Sequence, residues 1–291
     1  MRKQTTMSST TFRTALSAAS AEGRLLRALG AVNAMAARVA SDCDFDALWV
    51  SGLEVSTAAG LPDENVLGPR DLADVVAALG RVSDLPVIID VDNAGGSAPT
   101  AARFATDLAR AGAAALCLED SGYPKVNSFA LHREQQLADP GLMRDQLKAM
   151  RDAAPEMVLV ARTEALICGE PLAHALQRAV LYAEAGADAI LIHSKDASGD
   201  QARQTAAAWD GRCPLVTVPT AFPDVICEEL AAAGFTLAIY ANQMSRVSYA
   251  AMTAAANQFT INGSFTSPGA PPLAPVQDLL RVADRSARAC V

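Results

Sequence analysis

The sequence predicts an α/β protein with a (β/α)₈ barrel of the TIM type, because short strand-like runs alternate with helical stretches along most of its 291 residues. The runs are rich in leucine and β-branched residues, whereas the stretches between them are rich in alanine, which favours helix. A spacing of roughly 25 to 35 residues is typical of βα units, and eight such units take about 250 residues. The predicted strands cover residues 24–31, 47–53, 86–92, 114–119, 158–164, 187–193, 215–219 and 237–240.

A short pattern at three predicted helix ends supports this alternation. The segments ARAGAAALCLED, AEAGADAILIHS and AAAGFTLAIYAN each place a glycine between an alanine-rich helix and the next strand. Glycine commonly ends a helix because it adopts left-handed backbone angles without steric cost. We therefore expect helices to end at Gly112, Gly186 and Gly234.

The chain divides into three predicted segments. Residues 1–23 are an N-terminal extension, residues 24–260 form the barrel as one catalytic domain, and residues 261–291 form a linker and a C-terminal helix. The linker is predicted because residues 262–275 are rich in glycine, proline and serine, which disfavour helix. An amphipathic helix is predicted after the linker, near residues 276–289.

Composition and motif content exclude several classes of protein. The net charge of −8 is dispersed and no cluster of basic and aromatic residues occurs, so we expect no nucleic-acid partner. The six cysteines lack CxxC spacing, which argues against a zinc knuckle. No dinucleotide-binding or P-loop motif occurs. Because the chain also lacks a signal-peptide pattern and an uncharged apolar run of about 18 residues, we predict a cytoplasmic protein with no membrane partner.

Polar residues that close apolar strands are the candidates for chemistry, because the active site of such a barrel lies at the carboxyl ends of its strands. Strands two to six all end in residues of this kind. The strand-end candidates are Trp49, Ser51, Gly52, Leu53, Asp90, Asp92, Glu119, Arg162, His193 and Ser194.

Acidic residues in or near these strand ends predict a metal site. Asp63, Asp90, Asp92 and Glu119 would form an oxygen-rich surface suited to Mg²⁺, which takes one or two carboxylates and keeps several waters. For each acid taken alone, the alternative is a cap on the following helix. Acids at successive strand ends favour the metal.

Arg162 and His193 indicate an anionic ligand at the ends of strands five and six. A guanidinium is costly to bury without an anion, so Arg162 either binds the ligand or forms a salt bridge with Glu164 or Glu119. His193 can donate to a carboxylate or phosphoryl oxygen, and its alternative is a structural role.

The loop over residues 120–139 interrupts the βα alternation and is a candidate lid. It is long and polar, and it carries Lys125, Asn127 and Ser128. Long loops at this face of a barrel often close over a bound substrate.

The motifs WVSGLE, LPDEN, IIDVDN, CLED, YPKVNS, VARTEA, LIHSK and VPT follow one another at characteristic spacing. In this order the sequence resembles the phosphoenolpyruvate mutase branch of the isocitrate lyase superfamily over residues 24–260. The resemblance implies a small 2-oxo acid or enol phosphate as substrate and Mg²⁺ as cofactor. It also implies a homodimer or homotetramer in which the last barrel helix packs on a partner subunit.

The resemblance implies a role for each matching residue. For the metal, Asp90 resembles the direct ligand, and the residues that resemble its water-mediated shell are Asp63, Asp92 and Glu119. For the substrate, Trp49 resembles a pocket wall, and the residues that resemble the carboxylate cradle are Ser51, Gly52 and Leu53. For catalysis, the groups that resemble those holding the phosphoryl unit are Arg162, Asn127 and His193. Lys125 and Ser128 resemble residues of the family's gating loop. Ser194, which follows His193 in the sequence, is predicted to bind the substrate.

Three reactions follow from this resemblance. The leading one is phosphoenolpyruvate mutase activity, because lyase branches carry a lid cysteine in KKCGH or KRCGH, where this chain reads PKVNS. The related hydrolase typically has threonine at Asn127, which favours a mutase. Phosphonopyruvate hydrolysis and carbon-carbon cleavage of a 2-oxo acid such as oxaloacetate are the alternative reactions. A fourth hypothesis, from another class of function, is a non-catalytic ligand-binding protein.

Two departures from the family pattern lie close to the predicted site. Relatives usually read DxDTGYGN after strand three, whereas this chain reads DVDNAGGS, which keeps both acids and loses the aromatic residue. Relatives also commonly have histidine before the asparagine that corresponds to Asn33, where this chain has Val32. These departures predict a shifted substrate or activity.

Overall fold

Eight parallel strands close into a barrel in chain order, with the first strand paired to the eighth. The computed structural model describes residues 9–130 and 133–284. The strands are β1 Leu26–Gly30, β2 Ala47–Val50, β3 Val87–Asp90, β4 Ala115–Glu119, β5 Val158–Thr163, β6 Ala189–Ile192, β7 Leu215–Thr217 and β8 Leu237–Tyr240. The predicted (β/α)₈ fold and all eight predicted strand positions are confirmed.

Helices follow the strands and cover the outside of the barrel. Within the described residues they are α1 Ser9–Glu22, α2 Ala34–Asp42, α3 Gly52–Ala59, α4 Pro69–Leu79, α5 Ala98–Ala111, α6 Pro140–Ala153, α7 Leu172–Glu184, α8 Asp200–Ala208, α9 Cys227–Ala232, α10 Gln243–Asn262 and α11 Val276–Arg281. The three predicted glycine stops are confirmed, since Gly112, Gly186 and Gly234 have φ angles of 98°, 100° and 101°. None of these helices combines the length and apolarity needed to span a membrane.

Both faces of the strands are buried, as expected for a parallel sheet covered by helices. One core cluster lies between the strands and the helices, and a second fills the barrel interior. Phe12, Leu16 and Ala19 of α1 join the interior cluster, so this helix covers apolar surface at the barrel. The sequence predicts residues 1–23 only as an extension; residues 1–8 lie outside the described part.

Several strands end before their predicted last residue, and two of them, β2 and β3, end where the chain turns toward the site. Residues 51–53 were predicted in the second strand, but β2 ends at Val50 and α3 begins at Gly52. Likewise β3 ends at Asp90, and Asp92 adopts a left-handed φ of 50°. These turns place the polar residues at the barrel mouth.

The C-terminal part of the chain lies outside the eight strands. Helix α10 extends to Asn262 and has no buried residue, and residues 263–275 form no helix. The predicted terminal helix is present as α11 but ends at Arg281. Residues 285–289 of that prediction lie outside the described residues.

Candidate active site

A cavity lies at the carboxyl ends of the strands. Most of the predicted site residues line it. They are Trp49, Ser51, Leu53, Asp63, Asp90, Glu119, Lys125, Asn127, Ser128, Arg162 and His193. Gly52 and Asp92 line an adjoining cavity that shares Asp90. The structure therefore brings together all but one of the predicted residues.

Ser194 is the exception. Its hydroxyl donates to Gln201 Oε1 at 2.7 Å and accepts from the Asp196 backbone N–H at 3.1 Å. It therefore stabilises the turn before α8 and does not line the cavity. Its position beside His193 in the sequence gave no information on its direction, because the chain has left β6 by residue 193.

Three aspartates meet where the lid crosses the mouth. The Lys125 ammonium donates to Asp63 Oδ1 at 3.1 Å and to Asp92 Oδ1, and the lysine is 5% exposed. A Cβ on Gly52 would lie 3.2 Å from Asp92 Oδ1, so glycine there lets the backbone approach the acids. Asp90 accepts from the Asp92 backbone N–H at 3.2 Å.

Acidic groups outnumber Lys125 and Arg162 at this end of the cavity, and their pKa values reflect it. Burial raises the pKa of Glu119 to about 8, and burial raises that of Asp92 to about 6 despite the Lys125 ammonium. Glu119 Oε2 is buried without a hydrogen bond. Neighbouring carboxylates add to the rise in both pKa values, so a proton or a cation would stabilise this cluster.

These residues fit a divalent cation with few direct protein ligands. Within residues 9–130 and 133–284, no three acidic, histidine or cysteine side chains already surround one point as a metal site. Mg²⁺ takes only one or two carboxylates and reaches others through water. Asp90 Oδ2, whose Arg162 partner is 3.8 Å away, offers one direct ligand, and Glu119 offers an oxygen for water.

Arg162, Glu164 and His193 form a buried ion cluster. Arg162 Nε donates to Glu164 Oε1 and lies 3.5 Å from Glu119 Oε2. His193 Nδ1 lies 2.8 Å from Glu164 Oε1 and 2.9 Å from Arg162 Nη2, which leaves Nε2 for the cavity. Burial would raise the pKa of Glu164, but Arg162 and His193 outweigh it and hold this pKa below its usual range. Burial lowers the pKa of His193.

Asp120 fixes the backbone at the end of β5, next to this ion cluster. Its carboxylate accepts from the Glu164 backbone N–H and the Thr163 hydroxyl, both at 2.8 Å. On α7, Tyr182 donates to Asp120 at 2.8 Å and Arg178 does so at 3.0 Å. Asp120 is therefore a structural anchor for β5.

Hydrogen bonds fix the direction of the Asn127 amide on the lid. Its Oδ1 accepts from the Phe129 backbone N–H at 2.8 Å, so the amide nitrogen faces the cavity. That nitrogen donates to Asp63 Oδ2 at 2.6 Å, which leaves its second N–H for a ligand. The Phe129 ring lies over His193 with centroids 6.5 Å apart.

The Ser51–Leu53 segment forms the start of α3. Ser51 is the N-cap of this helix, but its side chain makes no capping hydrogen bond. The first N–H groups of a helix have no partner within the helix and attract carboxylates. Trp49 forms a buried wall beside them.

Sequence reasoning missed residues on the lid and at the last two strand ends. The cavity residues that were not predicted are Phe129, Gln135, Val218, Thr220, Ala241 and Asn242. Within residues 9–130 and 133–284, three buried cavity atoms have no hydrogen-bond partner, namely Thr220 Oγ1, Asn242 Oδ1 and Gln135 Oε1. Extending the strand-end rule to the VPT and YAN segments would have found Thr220 and Asn242.

The closed barrel and its charged mouth are those of a (β/α)₈-barrel enzyme. Its similarity to known proteins places the chain in the isocitrate lyase superfamily. The chain belongs to the phosphoenolpyruvate phosphomutase family, whose sequence profile matches residues 16–260. A phosphoenolpyruvate phosphomutase of Streptomyces hygroscopicus is 40% identical over 227 residues, 77% of this chain and 72% of that protein. A phosphonopyruvate hydrolase of Variovorax sp. is 34% identical, covering 82% of this chain and 83% of that protein.

Solved structures give the same family. A phosphoenolpyruvate phosphomutase from Streptomyces platensis superposes with a TM-score of 0.87 at 34% identity, covering 93% of this chain and 94% of that chain. A phosphonopyruvate hydrolase in complex with oxalate and Mg²⁺ superposes with a TM-score of 0.85 at 30% identity, covering 95% of each chain.

The sequence is also similar to that of a lyase. A 2-methylisocitrate lyase of Halalkalibacterium halodurans is 35% identical over 75% of this chain and 72% of that protein. The superfamily thus includes mutases, hydrolases and lyases.

Proposed function

We propose that the protein is a Mg²⁺-dependent phosphoenolpyruvate phosphomutase, which interconverts phosphoenolpyruvate and 3-phosphonopyruvate. The observation that carries this proposal is the direction of Asn127, whose free N–H faces the cavity that Arg162 and His193 also line. These donors suit a phosphoryl group in transit. The cavity offers no cysteine within the described residues, which weighs against the lyase alternative.

The reaction needs no external nucleophile. In the direction of phosphoenolpyruvate, the C3–P bond breaks and its electron pair forms the enolate of pyruvate. The C2 oxygen then forms a bond to the same phosphorus, so no atom or proton is gained or lost. Phosphoryl transfer of this loose kind depends on positioned positive charge and donors, which Arg162 and Asn127 supply.

The metal would be held by Asp90 directly and by Asp63, Asp92 and Glu119 through water. When bound, it would offset the negative charge of the 2-oxo acid and its enolate. The first turn of α3 would bind the substrate carboxylate against Trp49. The related hydrolase that was solved with oxalate and Mg²⁺ supports this combination of metal and ligand.

The lid would exclude water from the phosphoryl group. Lys125 joins the lid to Asp63 and Asp92, and Asn127 adds a second contact to Asp63. A closed cavity favours transfer to the enolate oxygen over transfer to water.

Phosphonopyruvate hydrolysis is the second candidate. The observation that favours it is Gln135 Oε1, a buried cavity oxygen without a partner that could orient a water. The 34% identity to a phosphonopyruvate hydrolase supports the same alternative. Hydrolysis would use the same residues and would differ in the acceptor of the phosphoryl group.

A coupled assay separates the two reactions. Purified protein, Mg²⁺ and phosphonopyruvate are incubated with lactate dehydrogenase and NADH, with or without pyruvate kinase and ADP. A mutase causes NADH loss only when pyruvate kinase and ADP are present, because they convert phosphoenolpyruvate to pyruvate. NADH loss with lactate dehydrogenase alone would indicate hydrolysis and would refute the mutase proposal.

We further propose that the chain forms a homodimer or homotetramer through α10. This helix has no buried residue, and its exposed apolar side chains include Val247, Tyr249, Met252 and Ile261. An apolar face of this kind is usually covered in solution. Light scattering after size-exclusion chromatography should give a dimer or tetramer mass, and a monomer at micromolar concentration would contradict the proposal.

Cytoplasmic location and lack of nucleic-acid partners stay predictions.

A further inference from the structure

Glu54 is a buried carboxyl group next to the predicted carboxylate cradle, and the proposed reaction does not use it. The residue lies in the first turn of α3, directly after Leu53, and is 3% exposed. Its Oε1 accepts a 2.5 Å hydrogen bond from the Ser245 hydroxyl of α10. Its Oε2 is buried and has no hydrogen-bond partner in the part of the chain that the structure describes.

Three elements meet at this carboxyl group. A Cβ on Gly30, the last residue of β1, would lie 2.7 Å from Glu54 Oε2 and closer still to the Ala241 carbonyl oxygen. Glycine is therefore required at the end of β1 so that the Glu54 side chain can reach the segment after β8. That segment, Ala241 and Asn242, lines the cavity. Glu54 thus stands between two parts of the cavity wall.

We propose that Glu54 is a positioning residue that holds the Ser51–Leu53 cradle against the junction of β8 and α10, an inference that rests on the function proposed above. Ser245 is the partner that transmits this contact to α10. Because the cradle binds through backbone N–H groups, a small shift of α3 changes its fit to a substrate carboxylate. The residue acts through the cradle and does not touch the substrate.

The protonation state of Glu54 should make ligand binding depend on pH. Burial raises the pKa of this carboxyl group to about 7, and the Ser245 hydrogen bonds lower it by less. Gly30 on β1, Ala241 after β8 and Ser245 on α10 lie beside this carboxyl group, and none of these three residues carries a charge. Above this pKa a carboxylate would stand beside the cradle and the Ala241 carbonyl oxygen. It would then repel a bound carboxylate.

The test measures oxalate binding by calorimetry in the presence of Mg²⁺, at several pH values between 6 and 8.5. The full-length wild type is compared with Glu54→Gln, which keeps the shape and the Ser245 acceptor but cannot ionise, and with Ser245→Ala. Glu184→Gln, an exposed surface change, serves as the matched control. Dividing the wild-type dissociation constant by that of Glu54→Gln cancels the titration of groups common to both.

We expect the ratio of the wild-type dissociation constant to that of Glu54→Gln to rise severalfold between pH 6 and 8.5. The corresponding ratio of wild type to Glu184→Gln should stay constant. Ser245→Ala should weaken oxalate binding by about tenfold or less at every pH, as expected for loss of one hydrogen bond. A constant wild-type ratio together with unchanged binding in Ser245→Ala would overturn the inference while leaving the proposed function intact.

A failure of the proposed function gives a different result. In that case wild type and variants alike would not bind oxalate with Mg²⁺. Amide hydrogen exchange of residues 51–53 then decides the inference independently of any ligand. Faster exchange in Ser245→Ala than in wild type would support the coupling, and equal exchange would overturn it.

Discussion

The two halves of the barrel mouth differ in how their polar groups are paired. In the charged half, at the ends of β3 to β6, Arg162, Glu164 and His193 contact one another within a buried ion cluster. In the neutral half, at the ends of β7 and β8, Thr220 Oγ1 and Asn242 Oδ1 are buried and have no hydrogen-bond partner among the residues that the structure describes. The buried ion cluster is held by contacts within the protein itself, whereas Thr220 and Asn242 have bonding capacity left for a ligand.

From this difference we expect the charged half to serve catalysis and the neutral half to serve substrate recognition. Removing one member of a buried ion cluster leaves its partner charged and unpaired, which costs far more than the loss of an exposed pair. Removing an unpartnered hydroxyl leaves nothing unpaired. Substitutions in the charged half should therefore have large effects on turnover, and those in the neutral half should have small ones.

Asp90→Ala should have the largest effect. Loss of the proposed direct metal ligand should reduce turnover by at least about 10³-fold, because both charge neutralisation and substrate position depend on the metal. Steady-state rates and Mg²⁺ titration measure this, with Asp74→Ala on the exposed face of α4 as the control. Normal turnover in Asp90→Ala would refute the metal assignment.

Arg162→Ala should follow, with a loss of at least about 10²-fold in kcat if the guanidinium stabilises the migrating phosphoryl group. Arg162→Lys should not restore the rate, because an ammonium cannot reproduce the contacts to Glu164, Glu119 and His193. Circular dichroism checks that both variants fold. A near-normal rate would assign Arg162 to structure alone.

Asn127→Thr should change the product more than the rate. A threonine hydroxyl cannot both accept from the Phe129 backbone N–H and present two amide hydrogens to Asp63 and the ligand. We expect a larger share of phosphonopyruvate to be hydrolysed, measured as pyruvate formed without pyruvate kinase. An unchanged product ratio would show that residue 127 does not separate the two reactions.

Glu54 should make folding stability pH-dependent. Its pKa is raised to about 7 in the folded protein, so its stabilising contribution is complete below its ordinary pKa of 4.5 and is lost as the pH rises through 7. Relative to Glu54→Gln, the wild type should lose at most about 3 kcal/mol of unfolding free energy between pH 5 and 8. Urea titrations at both pH values measure this loss, and parallel behaviour of the two proteins would contradict it.

Thr220→Val should have the smallest effect. Because Thr220 Oγ1 has no hydrogen-bond partner among the described residues, its loss should not lower the melting temperature. The KM for phosphonopyruvate should rise by about tenfold or less if the hydroxyl contacts the ligand. A loss as large as that of Arg162→Ala would erase the distinction between the two halves.

The fold and most of the charged half were predictable from sequence because they depend on local patterns. Apolar runs identify the strands, and the residues after them, such as Asp90 and Arg162, reach the mouth because every strand of the barrel ends there. Asn127 and Lys125 were predicted through motif resemblance, since their contacts to Asp63 span more than sixty residues.

Other features depend on contacts that no local pattern encodes. Ser194 follows a strand as His193 does, but a turn directs its hydroxyl to Gln201. Glu54 lies inside a helix, and its partner Ser245 is 191 residues away. Helix α1 belongs with the barrel because of the apolar surface it covers, which becomes visible only when the barrel has closed.

The most direct test of the central claim is ³¹P NMR of the wild type with Mg²⁺ and phosphonopyruvate, because carbon-bound, ester and free phosphate give separate signals. We predict that the phosphonopyruvate signal is replaced by that of phosphoenolpyruvate, with total phosphorus conserved between the two. Formation of inorganic phosphate, or a spectrum that does not change with time, would contradict the mutase assignment.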